Sequence, residues 1–97
     1  MTKADIVSQI AEKTGMEKHD VQIIVEAFMR TVRDNVERGD NVYLRGFGSF
    51  IVKTRAAKTG RNILAKKSIS IPAHNIPAFK PAKEFLENVK AKVAVKA

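Results

Sequence analysis

Residues 41–53 read NVYLRGFGSFIVK, and the apolar pattern changes here from helical to extended. Val42 and Leu44 alternate with more polar neighbours before the glycines, and Phe50 and Val52 alternate after them, as in two half-buried strands. The glycines on either side of Phe47 favour a tight turn between the strands. The segment therefore predicts a β-hairpin whose phenylalanines point inward.

Apolar residues before this hairpin recur with helical spacing. Thr2 and Asp5 resemble a capping box at the start of a first helix, and Gly15 is a typical helix end. A second helix is predicted from about Lys18 to Arg38, where Gly39-Asp40 ends it. Its outward basic residues are few and lie among acidic ones, so we interpret the helical hairpin as a scaffold and not as a recognition element.

The chain after the hairpin loses its apolar content from residue 53 to about residue 67, and a strand-like alternation then resumes at Ile69 and Ile71. Pro72 and Pro77 favour an edge strand or a bend, and Lys80-Pro81 is predicted to open a last helix. The prediction is an α+β fold: a three-stranded antiparallel sheet with a long protruding β-ribbon arm at about 53–76, each limb reaching about 33 Å. Residues 1–90 form one domain, and residues 91–97 are expected to be a flexible basic tail.

The body that remains without the arm has roughly 70 residues, which is marginal for an independent core. Phe47, Phe50 and Phe79, together with Phe85, bring more aromatic surface than one small sheet can hide. Pairing two chains would bury the excess. We therefore predict an intertwined homodimer with no stable folded monomer, and we place Phe47, Phe50 and Phe79 in its core.

The positive charge is concentrated in one segment. The formal net charge is +8, but residues 41–83 hold nine Lys or Arg and no Asp or Glu, whereas residues 1–40 hold six basic and eight acidic groups. A block of one sign repels itself and favours a polyanionic partner.

Several classes of protein are disfavoured by the sequence. GFGSF lacks the second glycine of a nucleophile elbow and the Gly-Lys-Ser/Thr of a phosphate loop. His19 and His74 have no second ligand at helical spacing, and the basic segment has no carboxylate for acid–base chemistry. We expect no enzyme activity, no cofactor or metal, no small-molecule substrate and no membrane span; the absence of cysteine suits a cytoplasmic protein.

The GFGSF run, R-A-A-K-x-G-R-N at 55–62, I-P-A at 71–73 and P-A-F-K-P at 77–81 together resemble the HU and integration host factor family of bacterial histone-like proteins. The resemblance covers about residues 1–90. It implies a two-fold dimer whose two β-arms enter the DNA minor groove and bend the duplex, in the nucleoid of a bacterial cytoplasm. Whether the partner is the same chain or a related one stays open.

Residues that match the family's DNA-contacting pattern are Arg55, Lys58, Arg61 and Asn62 on the arm, Lys80 and Lys83 on the saddle below it, and Lys3 on the flank. The candidate DNA-binding set also includes Lys53, Ile63, Leu64, Lys66 and Lys67. The family usually has proline after the Arg-Asn pair, where this chain has Ile63. Because apolar side chains can enter a base step and kink the duplex, we interpret Ile63 as the wedge, with Leu64 as second choice. Packing of either residue across its own hairpin is the alternative.

The favoured function is that of an architectural protein that bends and compacts double-stranded DNA largely without sequence specificity. A sequence-preferring bender of the integration host factor type stays open. An RNA-binding or ribosomal protein is less favoured, because the basic segment has no aromatic residue between Phe50 and Phe79 on which bases could stack. A protein-binding module that grips an acidic partner is the remaining alternative.

Overall fold

The computed structural model describes residues 1–62 and 67–95, with side chains described outside 59–62 and 67–69. Three helices and five strands follow one another along the chain: α1 (Lys3–Thr14), α2 (Lys18–Glu37), β1 (Val42–Leu44), β2 (Gly48–Arg55), β3 (Lys58–Asn62), β4 (Lys67–Ile71), β5 (His74–Pro81) and α3 (Lys83–Lys92).

The predicted capping box begins α1. The Thr2 hydroxyl accepts a hydrogen bond from the Asp5 amide at 3.3 Å, and the Asp5 carboxylate accepts one from the Thr2 amide at 2.8 Å. Hydrogen bonds from the Thr2 amide and then from its hydroxyl lower the pKa of Asp5, because both favour the charged carboxylate. Gly15 ends the helix with φ of 75°, a left-handed conformation that suits glycine.

The helical hairpin is held by a small cluster of apolar side chains. Val7 and Ala11 of α1 pack with Val21 of α2, and Ile10 and Val25 cover them in part. These are the only three buried apolar side chains among residues for which burial is described. Helix α2 ends at Glu37, one residue before the predicted end, and Arg38 is its C-cap.

The strands form the predicted three-stranded antiparallel sheet, in the order β1-β2-β5, and a separate two-stranded ribbon of β3 and β4. Strand β5 is an edge strand and contains Pro77, as that proline predicted, since an edge position tolerates a missing N–H. Strand β1 pairs only with Gly48–Phe50, so from Ile51 onward β2 and β5 already form a two-stranded ribbon.

Each limb of the predicted long hairpin is divided into two strands, and Pro72, which favoured an edge strand or a bend, lies at the division. Ala56 and Ala57 separate β2 from β3, and Pro72 and Ala73 separate β4 from β5. Arg55 pairs with His74 below the break and Lys58 with Ile71 above it, so both limbs skip two residues and the register is kept. Small side chains and a proline without an N–H explain why pairing stops at this level.

Helix α3 begins later than predicted. Lys80 and Pro81 belong to β5, where they pair with Ser49 and Gly48, and Ala82 is the N-cap. The ladder with β2 therefore continues through residues that local propensity assigned to a helix start. At its other end, α3 includes Ala91 and Lys92, two residues of the segment predicted as a flexible tail.

Candidate nucleic-acid interface

The alternation of β2 and β5 sorts their side chains onto two faces of the sheet. Ser49, Ile51, Lys53 and Arg55 share one face of β2, and Lys80 joins them because it pairs with Ser49. We call this the basic face. The lysines and Arg55 are exposed. Because residues 41–83 contain no Asp or Glu, the segment that builds the basic face supplies no carboxylate to neutralise it.

The opposite face carries an aromatic cluster of Phe47, Phe50, Phe79 and Phe85. Ring centroids of Phe47 and Phe79 lie 5.2 Å apart, those of Phe50 and Phe79 lie 5.0 Å apart, and Phe85 of α3 stacks on Phe47 at 5.6 Å. These separations suit favourable aromatic contacts. Even so, Phe47 is 47% exposed and Phe79 is 38% exposed in the single chain. The face thus has a hydrophobic surface that the chain itself does not cover.

The turn before β2 brings the base of α3 to this sheet. The Phe47 amide donates to the Leu44 carbonyl at 3.0 Å, and the Phe47 carbonyl accepts from the Ala82 amide at 2.9 Å. This second bond fixes the N-terminus of α3 beside the sheet. Lys80 and Lys83, on either side of Ala82, are both exposed there. The two predicted saddle lysines therefore lie where β5 leads into α3, at the end of the β2–β5 ladder away from the arm.

Beyond the sheet, the arm continues as a two-stranded ribbon. Side chains of Thr54 and Asn75 share a hydrogen bond of 2.7 Å across the ribbon, just below the break, and the His74 Nδ1 lies 3.1 Å from the Pro72 carbonyl oxygen. Above the break, Lys58 is exposed. The backbone of β3 and β4 pairs Arg61 with Ser68 and Asn62 with Lys67. The predicted tip residues Ile63, Leu64 and Lys66 lie outside the described residues.

Lys3, the predicted flank residue, forms an ion pair within the chain. Its Nζ lies 3.0 Å from Oε1 of Glu26, and Nε2 of Gln22 donates to the same oxygen at 3.0 Å. The hydrogen bond from Gln22 and then the one from Lys3 lower the pKa of Glu26. Exposed ion pairs of this kind contribute little to stability. A phosphate could therefore exchange with Glu26 as the partner of Lys3.

One residue of the basic face was missing from the sequence-based lists, and one residue of the aromatic cluster was missing from the predicted dimer core. Phe85, which the sequence grouped with the other phenylalanines as surplus aromatic surface, joins their cluster by stacking on Phe47. Tyr43 lies on the basic face, in a strand whose alternation the sequence predicted without assigning a function to its polar side. Strand register is the signal that places Tyr43 in one row with Ser49 and Lys80. Phe85 lies in α3 and joins its cluster through packing, which no register shows.

Other kinds of site find little support in the described part of the chain. No group of three or more His, Asp or Glu side chains there is placed to hold a metal ion. Helices long and apolar enough to cross a membrane are likewise not found among the described residues.

Comparisons with known proteins agree with this geometry. Residues 1–90 match the family model described as "Bacterial DNA-binding protein". The chain is 44% identical over 90 residues to the DNA-binding protein HU of Thermus thermophilus, covering 93% of each chain. It is 39% identical to HU of Thermotoga maritima over 93% of this chain and 100% of that one.

The fold also matches a solved structure of a protein bound to DNA. The HU–DNA cocrystal structure from Anabaena superimposes with a TM-score of 0.85 at 38% identity, covering 92% of this chain and 97% of that chain. Family model, sequence relatives and fold all lead to the same group of proteins. The chain belongs to the bacterial DNA-binding protein family that includes HU.

Proposed function

We propose that this protein binds double-stranded DNA as an architectural protein and bends it, largely without reading its sequence. The observation that carries the proposal is the basic face of the sheet, which continues into a two-stranded arm with no acidic residue from position 41 to position 83. Lysine and arginine along such a surface neutralise phosphates and release counterions, which gives affinity without sequence information. The protein acts in the bacterial nucleoid and has no enzymatic role.

The active form is a homodimer in which two chains intertwine. The aromatic cluster is exposed in the single chain, and Phe28 and Leu86 are also 47% and 44% exposed. A second copy that covers the aromatic cluster removes this apolar surface from water. Two arms, one from each chain, then hold one duplex.

Each candidate contact has its own role in this arrangement. Lys53, Arg55, Lys80 and Lys83 bind phosphates along β2, β5 and the start of α3, and Lys3 extends the path along the flank. Lys58, Arg61, Asn62, Lys66 and Lys67 follow the groove along the arm. Ile63 enters a base step as the wedge, with Leu64 as second choice. Unstacking a step costs a few kcal/mol, which the additional surface wrapped by a bent duplex offsets.

Energy transfer between dyes at the two ends of a short duplex tests this function. Binding should shorten the end-to-end distance, and a nicked duplex should bind more tightly than an intact one because less deformation energy is needed. Ile63→Ala should reduce the bend and keep most of the affinity, with Leu64→Ala as the matched control.

The outcomes separate the alternatives. A bend lost only in Leu64→Ala assigns the wedge to Leu64, and a bend unchanged in both variants removes the wedge. Equal affinity for nicked and intact duplexes would count against bending. Preference for single-stranded RNA over duplex DNA at the same salt concentration would contradict the function itself.

A further inference from the structure

The basic face carries an aromatic side chain that the proposed function leaves unused. Tyr43 on β1 pairs with Ser49 on β2, and Ser49 pairs with Lys80 on β5, so the three residues form one row across the sheet. The Tyr43 side chain is 72% exposed, while Val42 and Leu44 on either side of it are half-buried. Since an aromatic ring of this size is usually half-buried or better, its exposure on this face calls for a partner.

The position of the Tyr43 ring is fixed by its neighbour Asn41. The Asn41 side-chain oxygen accepts a hydrogen bond from the Val52 amide at 3.0 Å, and its Nδ2 donates to the Tyr43 hydroxyl oxygen at 3.2 Å. Asn41 thus ties the phenol to the backbone of β2. The Tyr43 hydroxyl accepts in this bond, so its own proton stays available for a second acceptor.

The surroundings of that hydroxyl favour a phosphate oxygen as the second acceptor. Tyr43, Arg45, Ser49 and Lys80 line an open cleft of about 570 Å³. The segment that builds this cleft is basic and has no carboxylate of its own. Tyr43 and Lys80 are two strand spacings apart, about 10 Å. Their side chains can therefore reach opposite walls of a DNA minor groove, which is about 6 Å wide.

We propose that Tyr43 is a DNA-contacting residue, whose hydroxyl donates to a phosphate oxygen and whose ring packs against the adjoining deoxyribose. Lys80 binds the facing strand across the groove. The inference rests on the proposed function, because it needs the same duplex on the same face. The contact is uncharged and made to the DNA backbone, so it adds affinity without adding either sequence preference or counterion release.

A single spectroscopic probe can report on this residue, because Tyr43 is the only tyrosine in the chain. Full-length protein grown with 3-fluorotyrosine should give one fluorine resonance in the folded dimer. Addition of a short duplex should shift or broaden that resonance, with saturation at the binding stoichiometry. A resonance that stays unchanged at saturating duplex overturns the proposal.

Two substitutions separate the contribution of the Tyr43 hydroxyl to binding from that of its ring. Loss of one hydrogen bond in Tyr43→Phe should weaken duplex binding about threefold, and loss of the ring as well in Tyr43→Ala about tenfold. Neither variant should change the slope of log affinity against log salt, whereas Lys80→Ala should reduce that slope by about one unit. Met16→Ala, an exposed position on the turn between the first two helices, is the control and should bind like the wild type.

Absence of the Tyr43 contact can be distinguished from a failure of the proposed function. Full affinity in Tyr43→Ala, with duplex binding by the wild type intact, removes the Tyr43 contact and leaves the architectural function in place. A wild type that does not bind duplex DNA removes both. If Tyr43→Ala does not fold, Tyr43→Phe and the fluorine resonance of the wild type still decide the question.

Discussion

Gly48 shows at the scale of one residue how closely the strands of this sheet approach an aromatic side chain. A Cβ added at Gly48 would lie 2.5 Å from the Phe79 ring carbon Cζ and 2.6 Å from the Lys80 carbonyl oxygen. The ring could turn aside, but the carbonyl belongs to the backbone of the paired strand. The glycine is therefore needed for close packing of the aromatic cluster, and the tight turn beside it is only part of its role.

Gly48→Ala should accordingly destabilise the protein by about 1–3 kcal/mol, the usual range for an extra methyl group in a packed position. Thermal unfolding at fixed protein concentration measures the effect. Ser49→Ala, one residue further on and directed to the other face, should change the stability by less than about 0.5 kcal/mol. Equal midpoints for Gly48→Ala and Ser49→Ala would contradict the close approach.

The carboxylate of Asp5 makes the stability of the fold depend on pH. Its pKa is lowered in the folded protein, so its charged form stabilises the fold above the ordinary value of 3.8, and this contribution is lost as the pH falls through the folded-state pKa. Asp5→Asn should therefore lower the thermal midpoint near neutral pH. The difference from the wild type should shrink below pH 3.8. A difference that persists in acid would show that charge is not the cause.

Each limb of the arm consists of two strands and not of one continuous strand. The two ladders of the arm keep one register across a break, and Ala56 is opposite Ala73 at that level because Arg55 pairs with His74 and Lys58 with Ile71. Because the side chains of alanine and proline are short, they form no large cross-strand contact at the break. The arm is thus built as two paired segments joined by an unpaired step.

Larger side chains at the unpaired step should join the β2–β5 ladder to the β3–β4 ladder. A facing valine pair, Ala56→Val with Ala73→Val, should add a cross-strand contact of about 0.2–1 kcal/mol and slow amide hydrogen exchange at Arg55 and Lys58. Either single substitution is the control and should have a smaller effect, because a valine opposite an alanine has little to contact. Additive effects of the two substitutions would indicate that Ala56 and Ala73 do not face each other.

Assembly of the whole molecule depends on apolar surface that one chain cannot bury. Three buried apolar side chains are found among the described residues, all in the helical hairpin, while the aromatic cluster stays partly exposed on the sheet. Stability of the fold should therefore depend on association.

The thermal midpoint should rise with total protein concentration, as expected when folding and dimerisation are coupled. Phe79→Ala, which removes a ring from the aromatic cluster, should lower the midpoint and increase its dependence on concentration. Val95→Ala, at a 96% exposed position in the tail, should change neither. A midpoint independent of concentration, together with a monomer mass in solution, would contradict the dimer.

Elements that depend on local chemistry could be predicted from the residues alone. Thr2, Asp5 and Gly15 mark the ends of α1, and period-two alternation on both sides of the glycines marks the hairpin, because capping and side-chain alternation act within a few residues. The absence of acidic residues from 41 to 83 pointed to a polyanion in the same way, since charge adds up without regard to fold. The resemblance of the arm motif to the HU family was likewise readable from residues alone.

Features that depend on strand register could not be predicted locally and became visible in the folded chain. Pairing with Ser49 kept Lys80 in β5 and moved the start of α3 to Lys83, because a ladder hydrogen-bonded along its length outweighs a weak local preference for a helix start. The same register placed the break in both limbs at one level and put Tyr43 in a row with Lys80. Distant segments come together only through pairing and packing, so no local pattern could have shown which side chains share a face.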